Sequence, residues 1–147
     1  MSYENKTTIK FQSVPENEKF ARTSAAIFIS PLNPTLSEIN DIKTAVSEAV
    51  TNAIIHGYED NSGEVLLECV IKNDTVYIKI EDKGKGIENI EEAMSPLYTS
   101  KPDLGRSGLG FTVMESFMDE VKVSSKVGIG TTIEMTKKII DNGFKKE

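Results

Sequence analysis

The sequence predicts an α/β chain, a two-layer sandwich in which a mixed, mostly antiparallel sheet carries helices on one face. Three observations point there. Strand and helix periodicities follow one another in the order β, α, α, β, β, a long aperiodic segment, α, β, β. Strands joined by short turns pair antiparallel, so helices lying before and among them must cover one face of the sheet. A length of 147 residues, with 38% hydrophobic and 7% aromatic side chains, supplies one core without disulfides or metals, and residues 1–147 read as one domain.

Each element has its own signal. Residues 7–14 (TTIKFQSV) alternate and end at Pro15, which suits an opening edge strand. PENEKFARTSAAIFIS starts with Pro15, Glu16 and Glu18 in a first turn, and then places Phe20, Ile27 and Phe28 on one helical face with the small Ser24 between them. That helix stops near Pro31, and PLNPT is a turn. Thr35 followed by Glu38 three residues later forms a capping box, from which a helix runs to about His56. Ile39, Ile42, Val46, Val50 and Ala53 form its core stripe, while Ala45 and Ala49 make one flank small. Glu48 and Asn52, four residues apart, share a face roughly opposite the stripe.

Gly57 supplies the helix stop, and two β-rich runs, EVLLECVIKND and TVYIKIED, meet in a hairpin turn at Asn73-Asp74. The next segment, residues 83–110, is rich in Gly, Pro, Ser and Lys, with a short helix predicted at Glu88 to Ala93; a connection this long suggests a lid. Helical signal returns at LGFTVMESFM, where Met114 and Met118 are core candidates. EVKVSSK and TTIEMTKK then close the chain as strands around a Gly128-Ile129-Gly130 turn.

Composition narrows the function. Seventeen basic against 23 acidic residues give a net charge of −6, so nothing attracts the chain to nucleic acid phosphates. Cys69 has no second cysteine to pair with, which suits a reducing compartment. The start lacks the pattern of a secretory leader, and the longest apolar run is only Ala25 to Ile29. A cytoplasmic protein without a membrane partner is expected.

Three clusters can carry chemistry. Glu48 and Asn52 combine a carboxylate able to orient or deprotonate a nucleophile with an amide oxygen able to ligate Mg²⁺, although on their own such pairs usually mark a solvated helix face. Asp82, Gly84 and Gly86 follow the clearest strand; the glycines allow close backbone approach, and the carboxylate can accept a hydrogen bond from a heterocyclic amino group such as that of an amino purine. In TSKPDLGRSGLGF, Lys101 and Arg106 precede glycines that open a helix, an arrangement suited to phosphate. The GxxxxGK[ST] phosphate loop is absent.

Taken together, ExxxN on a helix, DxGxG after a strand, a long segment, GxG opening a helix and a closing Gly130-Thr131 resemble the Bergerat ATP-binding fold of gyrases, heat-shock chaperones, histidine kinases and mismatch-repair ATPases. The strings DIKTAVSEAVTNAIIHGY, SPLYTSKPDLGRSGLGF and VMESFMDEV are similar to the anti-sigma F family, the serine protein kinases of the endospore programme, and that resemblance covers essentially the whole chain.

The resemblance implies ATP and Mg²⁺ as cofactors and a serine kinase activity. It places Glu48 as the catalytic carboxylate, Asn52 as the Mg²⁺ ligand, Asp82 on the adenine amino group with Gly84 and Gly86 around the base, and Thr131, or its neighbour Thr132, at the adenine end. Lys101, Arg106, Ser107, Gly108, Leu109 and Gly110 match the lid and phosphate segment, and Arg22 matches a position that docks protein partners. Gly105 departs from the pattern, which expects a larger side chain, and it bears on the stiffness of the lid. The implied partners are the sporulation sigma factor F, held by a homodimer, and an anti-anti-sigma factor phosphorylated on serine. Two other readings compete. A histidine kinase catalytic domain needs a phosphorylated histidine on a separate dimerisation helix, and the chain's one histidine, His56, ends the ExxxN helix. A non-catalytic ATP-sensing module would only sequester its partner; Glu48 argues against it.

Overall fold

A computed structural model describes residues 3–57, 63–90, 94 and 110–140. Five strands, β1 (Glu4–Gln12), β2 (Glu64–Lys72), β3 (Thr75–Asp82), β4 (Glu120–Lys126) and β5 (Gly130–Lys138), make one sheet in the order β1-β2-β3-β5-β4. Among the described residues, three α-helices accompany it: α1 (Glu16–Phe28), α2 (Leu36–Asn52) and α3 (Gly110–Phe117). The element order is the expected one, but all four strand pairings are antiparallel, so the sheet is not mixed. Two pairings are hairpins; the other two, β1–β2 and β3–β5, join strands far apart in the chain and are antiparallel as well.

Alternation along the strands separates the two faces. Val65, Leu67, Cys69 and Ile71 of β2, Val76, Ile78 and Ile80 of β3, and Ile133 and Met135 of β5 are buried on the helix side. Burial pushes the Cys69 thiol up to about 12, which leaves it an inert packing group. The opposite face is polar, with Glu68 between Lys6 at 3.5 Å and Lys79 at 3.8 Å, and Tyr77 exposed under the Lys72 ammonium. Residues Asn73 and Asp74 turn β2 into β3, with Asn73 at a φ of 59°, a conformation Asn tolerates better than most side chains.

The capping box at the start of α2 is complete: the Glu38 amide donates to Thr35 Oγ1 at 3.1 Å and the Thr35 amide donates to Glu38 Oε1 at 2.8 Å. Glu38 Oε2 also accepts the Ile140 amide at 2.8 Å, which ties the chain beyond β5 to this helix start and explains why a carboxylate is buried there. Ile42, Ala45, Val46, Ala49 and Val50 are fully buried, whereas Ile39 is only half-buried. The core stripe is thus rotated toward the small flank, because alanines let α2 lie close to its neighbours.

The same effect corrects the face of α1. Phe20 and Ile27 are 51% and 66% exposed, and the residues buried there are Ala21 and Ala25, with Phe28 half-buried. A contact made through alanines carries little hydrophobic signal, so the larger side chains misplace it. Met114 and Met118 of the third helical segment are buried as expected, and Phe111 is buried with them. Lys137 joins three elements: its ammonium donates to the Phe117 carbonyl at 2.8 Å, where the α3 dipole is negative, and lies 3.5 Å from Asp41 of α2. That contact fixes α3, and with it Gly110 at its first turn.

Beyond Asn52 the helix widens. Ala53–Gly57 form a π-helical turn where the sequence predicts α-helix to His56, and both Ala53 and Ile54 are buried in it. Such turns recur at functional sites. Of the predicted helix at 88–93, Ile90 is helical and its carbonyl accepts the Met94 amide at 3.0 Å; residues 91–93 lie outside the described set. Among the described residues, no helix is long and apolar enough to cross a membrane.

Candidate active site

Asp82 ends β3 on the helix-facing side of the sheet, only 4% exposed. Its Oδ1 accepts the Gly84 amide at 2.8 Å, so the tight turn after the strand is closed by the carboxylate itself. Burial pushes its pKa up to about 6; hydrogen bonds from the Gly84 and Thr131 amides pull the other way, and neighbouring Glu81 adds a small upward push. Asp82 is therefore a buried acceptor, ionised at neutral pH and short of compensating charge. This suits a ligand that brings N–H donors.

The glycines around it have separate tasks. Gly86 has a φ of 81°, and a Cβ there would collide with the Lys126 carbonyl; Gly130 has a φ of 143°, and a Cβ there would collide with the Asp82 carbonyl. Both positions press the turn after β3 against the β4–β5 hairpin. Two hydrogen bonds fasten that contact: Gly128 donates to the Lys85 carbonyl at 2.8 Å, and the Ile87 amide donates to Ser125 Oγ at 2.7 Å. Gly86 thus acts on the position of the turn through backbone packing.

Thr131 pairs with Asp82 across the β3–β5 ladder, and its side chain is buried on the same face. Thr132 pairs with Glu81 and so belongs to the opposite face, which leaves Thr131 as the threonine beside Asp82. Ser125, which the sequence reading does not single out, completes the row: it pairs with Thr131 in the β4–β5 ladder, and its Oγ lies 2.8 Å from Thr131 Oγ1. Extending the inward alternation of Val121 and Val123 by two residues would have found it.

Glu48 and Asn52 are both half-buried on α2, which lies against α1 and α3. They sit beside Ala45 and Ala49 at the margin of the buried stripe, where the sequence expectation puts them on the far side. Asn52 is the last α-helical residue before the π turn. His56 lies within that turn. Gly110 opens α3, whereas Lys101, Gly105, Arg106, Ser107, Gly108 and Leu109 lie outside the described residues. Arg22 lies on α1, its Nε 3.4 Å from Glu18. Among the described residues there is no group of three or more His, Cys, Asp or Glu built to hold a metal. An Mg²⁺ that keeps most of its waters and takes one protein ligand does not need one, and the Asn52 amide oxygen suits it.

Comparison with known proteins agrees with this geometry. Residues 11–137 match the model of the histidine kinase-like ATPase domain. The chain is 62% identical over 135 residues to an anti-sigma F factor of Clostridium acetobutylicum, which covers 92% of this chain and 94% of that one. It is 57% identical over 134 residues to an anti-sigma F factor of Anoxybacillus flavithermus, covering 90% and 92%. Among solved structures, the RsbU and RsbW domains of a Mycobacterium tuberculosis protein superpose with a TM-score of 0.68 at 20% identity, covering 92% of this chain and 32% of that one. The catalytic domain of the histidine kinase ThkA gives 0.58 at 15% identity, covering 90% and 96%.

The chain therefore belongs to the histidine kinase-like ATPase domains and, among them, to the anti-sigma F factor family. Its fold is a nucleotide-binding one.

Proposed function

We propose that this chain is an ATP-dependent serine protein kinase that also sequesters a sigma factor. The observation that carries the nucleotide reading is the buried Asp82 carboxylate closed over by Gly84 and flanked by Thr131, a cradle of acceptors for an amino purine. Asp82 takes the adenine amino group, Thr131 supports the same edge of the base, and the Gly84–Gly86 turn forms its wall. The amides at the start of α3, with Lys101, Arg106, Ser107, Gly108, Leu109 and Gly110, receive the phosphates. Mg²⁺ held by Asn52 would neutralise charge that accumulates on the phosphoryl oxygens.

Glu48, one helical turn before Asn52, orients the serine hydroxyl of the protein substrate and accepts its proton. The names of the similar proteins support the other half of the role, that of an anti-sigma F factor; in this reading a homodimer with ATP bound holds sigma factor F and stays active by phosphorylating an anti-anti-sigma factor. Arg22, half-buried on α1, is the residue this reading assigns to docking such partners. In size-exclusion chromatography with Mg-ATP, the purified chain is expected to co-elute with the sigma factor F of its own organism. Separate elution of the two at micromolar concentration would remove the anti-sigma role.

A further inference from the structure

We infer that Ser125 is a positioning residue that fixes Thr131 as a pure hydrogen-bond acceptor and so makes the site select a 6-amino over a 6-oxo purine. The inference rests on the reading of Asp82 and Thr131 as the base-binding pair. Asp82, Thr131 and Ser125 stand opposite one another on three adjacent strands, β3, β5 and β4, on the face that meets the helices.

The count of protons at Ser125 decides the polarity. Its Oγ has three partners: the Ile87 amide at 2.7 Å, the Gly130 carbonyl at 3.0 Å and Thr131 Oγ1 at 2.8 Å. A hydroxyl owns one proton and two lone pairs. The Ile87 N–H can only donate, so it occupies one lone pair. The Gly130 carbonyl can only accept, so it takes the proton. What remains for Thr131 is a lone pair, and all three contacts are satisfied only when the Thr131 hydroxyl donates to Ser125.

Thr131 then presents lone pairs alone to the space beside Asp82, whose ionised carboxylate is also acceptor-only. Two acceptors side by side match the N–H groups of an adenine amino group and oppose the carbonyl oxygen that inosine carries at the same position. Without the Ser125 hydroxyl, Thr131 is released to rotate and donate to that oxygen. The backbone contact that holds the turn, Gly128 to the Lys85 carbonyl, does not pass through Ser125 and stays in place.

The test is equilibrium binding of ATP and of ITP, which differ in the 6-substituent and in the proton that the 6-oxo base carries on N1, to the wild-type chain and to Ser125→Ala and Ser125→Thr, each checked for a cooperative thermal transition. The wild type is expected to prefer ATP by roughly 10²-fold or more, the range a site built on hydrogen bonds achieves. Ser125→Ala should narrow that ratio about tenfold, largely by gaining ITP affinity, and Ser125→Thr, which keeps the hydroxyl, should restore it. An unchanged ratio in Ser125→Ala, or an equal fall for both nucleotides, would overturn the inference while leaving the nucleotide site standing. A wild-type chain that binds neither nucleotide would overturn both.

Discussion

Replacing Glu48 with alanine is expected to leave Mg-ATP binding essentially intact while cutting phosphotransfer to a protein serine by about 10²- to 10⁴-fold, the contribution typical of a positioned general base. The split follows from where the residue sits. Glu48 is half-buried at the margin of α2, outside the fully buried set of Ile42, Ala45, Val46, Ala49 and Val50, so truncation leaves the core untouched. Asn52 lies on the next turn of the same face, at the junction with the π turn. Its replacement by alanine should instead weaken the Mg²⁺-dependent part of nucleotide binding, because the lost atom is a ligand and not a base. Calorimetric titration with ATP, with and without Mg²⁺, together with single-turnover phosphotransfer, separates the two variants. Equal loss of ATP affinity in both would contradict these roles.

Asp82→Asn should have two opposite effects, one on the empty protein and one on its complex. Folding raises the Asp82 pKa from 3.8 to about 6, so the folded chain favours the protonated form. That favourable contribution is complete below the unfolded pKa and is lost as pH rises through about 6, so at pH 8 the ionised side chain weighs against the fold. From 3.8 to about 6 is about 2 units, or ~3 kcal/mol, and an asparagine that satisfies only one of the Gly84 and Thr131 amides returns ~1 kcal/mol of it. The variant should therefore be ~2 kcal/mol more stable than wild type in urea at pH 8 and lose that advantage by pH 4. Its ATP affinity should fall about 10- to 100-fold, as expected when a charged acceptor becomes a neutral amide. Wild-type affinity should decline below about pH 6, where Asp82 takes up its proton. A variant less stable than wild type at pH 8 would contradict the assignment of burial as the main influence on this carboxylate.

Such a stability gain on loss of function identifies Asp82 as a residue kept for its ligand and not for the fold. The carboxylate of Glu38, buried as well, makes the contrast: both its oxygens are occupied by amides, of Thr35 and Ile140, so it serves the fold.

Much of this arrangement is legible in the sequence where a local rule has one dominant cause. Alternation locates β2 to β5 to within a few residues, and the Thr35–Glu38 capping box marks the start of α2 because both partners are four residues or fewer apart. The ExxxN and DxGxG patterns single out Glu48, Asn52 and Asp82 as candidates for the same reason: each pattern joins residues close in the chain. What the sequence hides depends on contacts across the chain. The α1–α2 contact runs through alanines, so Phe20 and Ile27 draw attention to a face that is in fact exposed. The π turn at Ala53–Gly57 has no sequence rule comparable to a cap, and it rephases Ile54 into the core. The choice between Thr131 and Thr132 depends on strand register, which only the pairing of Asp82 with Thr131 supplies. Ser125 escapes notice because a serine in a strand carries no motif of its own, while its hydroxyl joins the Ile87 amide, the Gly130 carbonyl and Thr131.

The measurement that tests the central claim most directly is transfer of labelled γ-phosphate from Mg-ATP by the purified chain to the anti-anti-sigma factor of its own organism. The account predicts label on that one small protein, stable to acid as a phosphoserine is, located on serine by phosphoamino acid analysis and lost with Glu48→Ala. No transferred label, with ATP binding intact, would contradict kinase activity and reduce the chain to a nucleotide-controlled binding protein.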